Sequence, residues 1–408
     1  MSSSTTDAFS SAHRLPWRGR PGGWVLDQIG KRLRCGTLTF ITPEQARLTY
    51  RGAAPGPEAV LILHRWRMLR RLLVHGDIGL AEAYLDGDWS SPDTTALLEL
   101  GTRNAAPLSP ALDGPPTARL LNRVLHRLHA NTLAGSRRNI RHHYDLGNDF
   151  YAHWLDAGMS YSSGLFRTND MSLEQAQDEK QARVLALLDA APGHSVMEIG
   201  CGWGGLADRL AQDGCSVTGL TLSPAQLAYA RQRIAATGVA PRVDLRLQDY
   251  RESSGSFDRV VSIEMLEAVG EAFWPCYFET LHARLKPGGI AVLQVITIDD
   301  AHFDSYRRTP DFIQRYIFPG GMLPPPAALR RHLAAAGLTL RHVQTFGDSY
   351  AKTLAAWRRR FSDAWPQIAA LGFSERFRRM WDFYLCYCEA GFRAGVIDVG
   401  LWQIARPA

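Results

Sequence analysis

A glycine-rich stretch in the middle of the chain has the residue types and spacing of a ligand-binding turn. The apolar run Val196–Ile199 contains Glu198, and it is followed by Gly200, Gly202, Gly204 and Gly205. Helical spacing then begins at Leu206, so the pattern predicts a strand, a tight turn and the start of a helix. Glycines let a ligand approach the backbone closely, and the free amides at a helix start suit a polar or anionic group. Two glycines also occur in turns for shape alone, so the surrounding sequence decides between the two interpretations.

Polar residues follow the next two apolar segments, which are predicted to be strands at 216–220 and 243–247. The residues placed to meet a ligand are Thr221, Leu222 and Gln226 after the first of them, and Gln248, Asp249 and Tyr250 after the second. Asp249 is placed to bond an adenine amino group. A nicotinamide enzyme would carry an acidic residue for a ribose hydroxyl where Thr221 stands. The pattern therefore favours a nucleoside over a dinucleotide.

Alternating strands and helices must hold these residues. Strands are predicted at 196–199, 216–220, 243–247, 259–263 and 289–295, and helices at 204–213, 224–237 and 272–285. Such alternation predicts an α/β fold, in which helices wrap a parallel sheet and ligands bind beyond the carboxyl ends of the strands.

The rest of the chain is predicted to form a separate, smaller domain and a connection. Residues 1–20 are predicted to be a disordered tail, and residues 21–103 a small α+β domain with strands at 36–42 and 59–63 and a helix at 65–75. Prolines at 107, 110, 115 and 116 predict a linker. Residues 104–137 are therefore assigned to a linker and a basic amphipathic helix, and residues 138–408 to the second domain.

Composition bounds the class of protein. The chain has 408 residues, of which 46% are hydrophobic and 21% charged, the balance of a soluble globular protein. No apolar run approaches the roughly 20 residues that span a bilayer, and no secretory leader is recognisable at the start. The six cysteines lack CxxC spacing, so neither a disulfide framework nor a metal site is predicted. A reducing cytoplasm is the expected compartment.

The positive charge is concentrated in one segment. The net charge is +6, and Arg119–Arg141 contains arginines interleaved with leucines that helical spacing places on one face. This pattern is typical of a helix that lies on an anionic membrane, although an ordinary basic helix packed on its own protein fits as well. Nucleic acid would fit the charge, but no nucleic-acid-binding motif accompanies it.

Several separated blocks together resemble the cyclopropane-fatty-acyl-phospholipid synthase family. The blocks are Arg138–Asn148, Met159–Ser163, Glu198–Gly205, Leu247–Arg251, Tyr316–Pro324 and Phe383–Arg393, with a looser match at Gly79–Trp89. The resemblance implies a Rossmann-like, seven-stranded S-adenosylmethionine-dependent methyltransferase sheet and a small N-terminal lipid-associated domain. It also implies that Tyr161 and Ser162 close over the cofactor, that Glu198 and the glycine turn hold it, and that the protein is a homodimer.

The same resemblance implies methyl transfer to a cis double bond in a phospholipid acyl chain. An alkene that attacks a methyl group leaves a carbocation, which aromatic faces can stabilise by about 0.5–2 kcal/mol each and which must then lose a proton to a base. In the family that base is a bound bicarbonate. Tyr316, Phe318, Trp357 and Phe383 are candidates to line an acyl tunnel or to be plain core, whereas Cys386 and Cys388 are interpreted as core.

The family's anion cage corresponds here to Ser163, Glu267, Gln294, the backbone amide of Ile296, and Tyr350. Two positions depart from the bacterial type member, which has cysteine at Ser163 and histidine at Gln294, and Ala268 also replaces a histidine. Serine and glutamine still donate hydrogen bonds, so the anion cage is expected to be modified and not abolished. Each cage residue also has a structural interpretation, as a helix cap, a surface acid or a core side chain.

The expected product is a cyclopropane fatty acid made at the inner face of the cytoplasmic membrane. Gln294 and Glu264–Gly270 also resemble a branch of the family that includes the plant cyclopropane synthases and also enzymes that leave a methylene or methyl branch, so the product remains open. Two further functions fit the sequence: methylation of a small soluble acceptor, and lipid binding without catalysis.

Overall fold

The computed structural model describes residues 21–112 and 146–408. Backbone packing divides the chain between Asp113 and Gly114 into two compact units. The predicted tail at 1–20 and the basic segment Arg119–Arg141 lie outside the described residues, as does most of the first block of the resemblance. In the part of the chain that is described, no helix is long and apolar enough to cross a membrane.

The N-terminal unit is a four-stranded mixed sheet with helices. Its elements are α1 (Pro21–Gly30), β1 (Cys35–Ile41), β2 (Arg47–Arg51), β3 (Ala54–Leu63), α2 (Arg67–Leu85), β4 (Trp89–Ser90), α3 (Thr94–Arg103) and α4 (Ala105–Leu112). The strand order is β2-β1-β3-β4, with β1 and β3 parallel. The predicted α+β character and the two predicted strands are present, and the side chain of Asp93 caps α3 by accepting a hydrogen bond from the amide of Ala96.

The predicted linker is wrong over its first part, because residues 105–112 form helix α4. Pro107 lies in the first turn of α4, where a backbone N–H would have no helical acceptor, so proline is tolerated there. Asn104, which is fully buried, joins α3 to α4 and accepts hydrogen bonds from the amides of Arg34 and Cys35. The junction of the two helices is therefore bound to the start of β1.

The C-terminal unit is an α/β domain built on seven strands. Its elements are α5 (Asn148–Ala152), α6 (Leu173–Leu188), β5 (Ser195–Ile199), α7 (Gly205–Gln212), β6 (Ser216–Thr221), α8 (Pro224–Ala236), β7 (Val243–Leu247), β8 (Phe257–Ile263), α9 (Trp274–Arg284), β9 (Leu285–Ile298), α10 (Asp300–Tyr306), α11 (Pro326–Ala335), β10 (Thr339–Thr345), α12 (Gly347–Asp363), α13 (Trp365–Ala370), α14 (Glu375–Ala394) and β11 (Ile397–Ala405). Short 3₁₀ turns and one π-helical turn, Ile313–Ile317, join some of them.

The sheet confirms the predicted fold class. Its order is β10-β11-β9-β8-β5-β6-β7, and the five predicted strands pair in parallel. Only β11 runs against its neighbours, β9 and β10. The strand order reverses at β5, and the ends of β5, β6, β7, β8 and β9 therefore meet along one edge, where such folds bind ligands.

An aromatic cluster packs helices against this edge. Phe150 and Trp154, on and just after α5, contact Trp381 of α14, and Trp154 also contacts Trp357 of α12. These rings are almost completely buried. Cys386 is buried in α14 as predicted for core. The cluster therefore fixes α5, α12 and α14 over the carboxyl edge of the sheet.

Candidate active site

The glycine turn after β5 has the conformation that its sequence predicts. Gly200 has a φ of +83°, and a Cβ added there would lie 2.6 Å from Cγ of Met265, just beyond β8. Gly202 has a φ of +51°, and an added Cβ would have no atom within 4 Å. Glycine is required at position 200 because a side chain there would collide with Met265, whereas Gly202 borders open space. The turn is thus both tightly held by protein and open on its other side.

Glu198 lies at the end of β5 beneath this turn. Its side chain is 3% exposed, and Oε2 has no hydrogen-bond partner. Burial raises the pKa of Glu198 to about 8, against the opposing effect of the Lys180 cation. An unsatisfied buried carboxylate oxygen is costly, so it indicates a place where a donor or cation of a ligand fits. The predicted assignment of Glu198 to the cofactor is consistent with this geometry.

The residues after β6 form a small polar network. The hydroxyl of Thr221 donates to Oε1 of Gln226 at 2.9 Å, and both side chains are buried. Ser223 caps α8 by accepting from the amide of Gln226. Leu222 is half-buried between them. The structure therefore brings three predicted cofactor residues to the same edge as the glycine turn.

Asp249, after β7, is paired within the protein. Its two carboxylate oxygens accept hydrogen bonds from the Arg251 guanidinium at 2.9 and 2.7 Å, and the side chain is 1% exposed. The amide side chain of Gln248 donates to the carbonyl of Glu252. The ring of Tyr250 packs edge-to-face on Tyr277 in the core. The arginine that holds Asp249 in place is a feature that the sequence analysis does not include.

Tyr161 and Ser162 lie in one loop, and the side chain of each contacts a neighbouring helix. The Tyr161 and Tyr384 hydroxyls are 2.9 Å apart, and the Tyr161 ring packs on Trp357. The hydroxyl of Ser162 accepts a hydrogen bond from Nζ of Lys180 at 2.7 Å. The loop is therefore held by α6 on one side and by α12 and α14 on the other.

Lys180 is a functional candidate that sequence reasoning missed. It belongs to α6 and is 4% exposed. Burial lowers the pKa of Lys180, while Glu264, Asp156 and Glu198 oppose that effect. A buried cation that interacts with three carboxylates ties the cofactor edge to the anion cage.

Glu264, directly after β8, is the centre of the polar contacts around the predicted anion cage. Oε1 accepts from the amide of Ser163 at 2.9 Å and from Nε2 of Gln294 at 2.7 Å, and Oε2 accepts from the hydroxyl of Tyr350 at 2.6 Å. Burial raises the pKa of Glu264, whereas these donors and Lys180 oppose the rise. The acid lies at a strand end, so the strand-end rule applied above to β6 and β7 could have found it.

Glu267 lies one turn further on and makes a different contact. Its Oε1 accepts from the backbone amide of Ile296 in β9, whereas Oε2 is buried without a partner. Burial and the nearby Glu264 raise the pKa of Glu267 to about 8. The carbonyl of Glu267 also accepts from the amide of Met322. The backbone and one carboxylate oxygen are therefore fixed, and the second oxygen is free to meet a ligand.

The predicted anion cage thus forms two groups. Ser163, Gln294 and Tyr350 surround Glu264, and Ile296 pairs with Glu267. Ser163 takes part through its backbone only, because its hydroxyl donates to the carbonyl of Gly164 at 2.8 Å.

The predicted tunnel residues differ in exposure. Trp357 and Phe383 are buried, and Phe383 packs on Phe312 at 4.8 Å between ring centroids. Tyr316 and Phe318 are half-buried, and Phe318 packs near Tyr384. The first pair therefore serves the core, while the second pair can also face a ligand.

Comparison with known proteins decides the family. A profile of the mycolic acid cyclopropane synthetase family matches residues 132–404. The chain belongs to this family. It is 39% identical over 88% of its length to the tuberculostearic acid methyltransferase UfaA1 of Mycobacterium tuberculosis, covering 86% of that protein. It is 34% identical over 88% of its length to the cyclopropane-fatty-acyl-phospholipid synthase of Escherichia coli K12, covering 90% of it.

A solved structure supports the same assignment. The mycolic acid cyclopropane synthase CmaA1, in complex with SAH and CTAB, superposes with a TM-score of 0.62 at 31% identity, over 66% of this chain and 98% of that one. This family member is therefore an S-adenosylmethionine-dependent methyltransferase that modifies lipids. The open side of the glycine turn at Gly202 and the unsatisfied Oε2 of Glu198 fit such a cofactor, because Oε2 would accept a hydrogen bond or meet a positive charge from it.

Bicarbonate fits this site poorly. The donors of the predicted anion cage are used by protein acceptors, namely Glu264, Glu267 and the carbonyl of Gly164. Within the residues of the predicted anion cage, the buried side-chain atoms left without a hydrogen-bond partner are Oε2 of Glu267 and Oε1 of Gln294, and both are acceptors. An anion needs donors, so the space beside these atoms suits a donor or a cation.

Proposed function

We propose that this methyltransferase acts on the cis double bond of an unsaturated acyl chain in membrane phospholipid and forms a cyclopropane ring. The observation that carries the proposal is the pair of carboxylates, Glu264 and Glu267, at the end of β8 and next to the cofactor turn. A site that only binds lipid has no use for two acids whose pKa values burial raises. The identity to the E. coli synthase over most of both chains supports the same reaction.

The charge of the site suits a cationic reaction. S-adenosylmethionine, when bound, supplies a methyl group on a positively charged sulfur, and an alkene that attacks that methyl group becomes a carbocation. Asp156, Glu198 and Glu264 interact with the buried cation Lys180, and Glu264 in turn interacts with Glu267. In their ionised forms these acids stabilise a positive charge that develops between the cofactor turn and Glu267. Because burial raises the pKa of Glu198 and Glu267 to about 8, this stabilisation grows as the pH rises toward 8.

Aromatic side chains exclude water from the same place. Trp357 packs against both Tyr161 and Tyr350, and the hydroxyl of Tyr350 donates to Glu264. Each ring face can stabilise a nearby cation by about 0.5–2 kcal/mol. A carbocation that water cannot reach survives long enough to lose a proton, and the free Oε2 of Glu267 is the acceptor that the site offers.

The acceptor is proposed to be reached from an anionic membrane surface. The basis is the sequence of the basic segment Arg119–Arg141, in which helical spacing would place the leucines on one face. Vesicle co-sedimentation that depends on anionic lipid and weakens with salt is the expected behaviour.

The proposal is tested by expressing the protein in cells rich in monounsaturated lipid and recording proton NMR spectra of the extracted acyl chains. We expect the upfield ring-proton signal of a cyclopropane, which should be lost in Glu267→Gln cells. Acyl chains that remain unmodified in the presence of folded protein would contradict the proposal. Mass alone does not suffice, because ring and branch both add one CH₂.

A second candidate product is a methylene or methyl branch. It is favoured by the 39% identity to a tuberculostearic acid methyltransferase, and Gln294 with Glu264–Gly270 is compatible with either product. The first step is the same, and only the fate of the cation differs. A methylene signal without the ring signal in the same spectra would select this candidate.

A further inference from the structure

The donors expected to hold an external anion are already bound to an acid of the chain. Glu264 receives the Ser163 amide, the Gln294 side-chain amide and the Tyr350 hydroxyl, at 2.9, 2.7 and 2.6 Å. Gln294 also lies 3.4 Å from the Ser163 carbonyl, so two acceptors fix the orientation of its amide group. The two carboxylate oxygens of Glu264 thus accept three hydrogen bonds, from the donors that a bound external anion would otherwise use.

The backbone of Glu264 adopts a strained conformation that places its carboxylate among these donors. Glu264 has a φ of +50°, a left-handed conformation that is uncommon and strained for residues other than glycine. Its own amide donates to the carbonyl of Gln294. The strand end is thus bent so that the carboxylate enters the donor set, which is typical of strain retained at a functional site.

The local charge also disfavours another anion. Glu264 and Glu267 interact with each other, and burial raises the pKa of both. Lys180 is the buried cation that interacts with Glu264, and it is shared with Asp156 and Glu198. Bicarbonate would add a further negative charge to this group without gaining a free donor.

We propose that Glu264 replaces the external bicarbonate as the resident anion of this site, and that Glu267, in its ionised form, accepts the reaction's proton at Oε2. The inference rests on the proposed function. In the step, a C–H bond of the transferred methyl group breaks, its proton forms an O–H bond with Glu267, and its electron pair closes the ring on the cationic carbon. The step therefore needs no base other than Glu267.

The division of roles follows from the contacts. Both oxygens of Glu264 accept hydrogen bonds, which favour its ionised form against the effect of burial, and a proton could reach either oxygen only by displacing a donor. Glu267 has one oxygen fixed by Ile296 and the other unpartnered. Only the second oxygen can form a new bond to hydrogen without breaking an existing contact.

The experiment compares wild type with Glu264→Gln and Glu264→Gly, and uses Glu279→Gln as the matched control. Glycine removes the acid and relieves the left-handed backbone, so this variant is expected to fold, and Glu279 is an exposed acid on α9. Acyl methylation is measured with vesicles in buffer stripped of carbon dioxide, with and without added bicarbonate. Binding of ¹³C-bicarbonate is followed separately by NMR line broadening.

We expect wild type and the control to be indifferent to bicarbonate, within about twofold, and to show no saturable ¹³C broadening. Both Glu264 variants should lose about a hundredfold in rate. The glycine variant, with three donors freed, should bind ¹³C-bicarbonate and regain part of its rate when it is added, whereas the glutamine variant should not.

Three results would overturn the inference: a wild-type rate that depends on bicarbonate, saturable bicarbonate binding by wild type, or a Glu264→Gly variant that does not bind the anion. A wild type that transfers no methyl group to acyl chains would instead refute the proposed function. In that case the NMR binding data still decide whether Glu264 occupies the anion position.

Discussion

Replacing Tyr350 by phenylalanine removes one atom from the polar contacts around Glu264. The hydroxyl donates to Oε2 of Glu264 at 2.6 Å and is the strongest of the contacts that lower the pKa of that acid. The ring stacks on Phe392 with 4.5 Å between centroids, and it meets Trp357 edge-on. Phenylalanine keeps this packing, so we expect the variant to fold and to bind S-adenosylmethionine as wild type does.

The magnitude follows from the type of hydrogen bond. A hydrogen bond to a charged group contributes about 1.5–3 kcal/mol, and each ~1.4 kcal/mol changes a rate about tenfold. If the negative charge of Glu264 stabilises the cationic transition state, Tyr350→Phe should lower kcat roughly 10- to 150-fold. Loss of the donor also raises the pKa of Glu264 further, so the acidic limb of the rate profile should move to higher pH.

The assay is the initial rate of acyl methylation on monounsaturated vesicles between about pH 5 and 9, with S-adenosylmethionine affinity measured by calorimetry. The matched control is Tyr50→Phe in the N-terminal unit, where the hydroxyl also donates to a carboxylate, that of Asp27. A Tyr350→Phe rate within twofold of wild type, with an unmoved acidic limb, would refute the role given to Glu264.

Three further predictions concern stability and cofactor binding. Burial raises the pKa of Glu267 from 4.5 to about 8, so between these pH values the folded protein retains a proton that the unfolded chain has lost, and the free energy of unfolding should fall as the pH rises from about 4.5 to 8. In urea denaturation, Glu267→Gln should make this fall shallower. An unchanged slope would contradict the raised pKa of Glu267. Gly200→Ala forces a Cβ to 2.6 Å from Cγ of Met265 and should weaken S-adenosylmethionine binding at least tenfold by calorimetry. The control is Gly101→Ala in α3, where the added Cβ has no atom within 4 Å. It should leave S-adenosylmethionine binding unchanged and raise the free energy of unfolding by about 0.5–1 kcal/mol. Arg251→Met removes the cation from the buried Asp249 carboxylate, which keeps the hydrogen bond from the backbone amide of residue 251, and should cost about 3–5 kcal/mol of unfolding free energy. A loss below about 1 kcal/mol in denaturant titration would show that Asp249 does not need the guanidinium.

The cofactor edge could be predicted from sequence because its signals are local. The glycine turn, the strand before it and the helix after it are contiguous in the chain, and the alternation of strands and helices fixes where the strand ends meet. The conformations of Gly200 and Gly202 follow from the same stretch.

The centre of the site could not be predicted so easily, because its contacts join distant parts of the chain. Glu264 is bound by Ser163, Gln294 and Tyr350, which are separated from it by 101, 30 and 86 residues. The motif around Glu264 and Glu267 contains two acids three residues apart, and the sequence does not say which of them meets which donor.

Burial explains the other omissions. Lys180 lies in a helix with many charged residues, and its sequence alone is that of a solvent-exposed lysine. Its burial depends on the loop at Ser162 and on three acids from other elements. The helix at 105–112 is likewise obscured by its prolines, because the contacts of Asn104 that favour it come from β1.

The most direct test of the account follows the transferred carbon itself. Purified protein is incubated with vesicles of monounsaturated phospholipid and S-adenosylmethionine labelled with ¹³C in the methyl group, and the products are examined by ¹³C NMR. The account predicts that the label enters the acyl chain at the carbons of the former double bond, as a ring methylene, and in proportion to the cofactor consumed. Label found in the headgroup or in a water-soluble amine, with the acyl chains unlabelled, would contradict it.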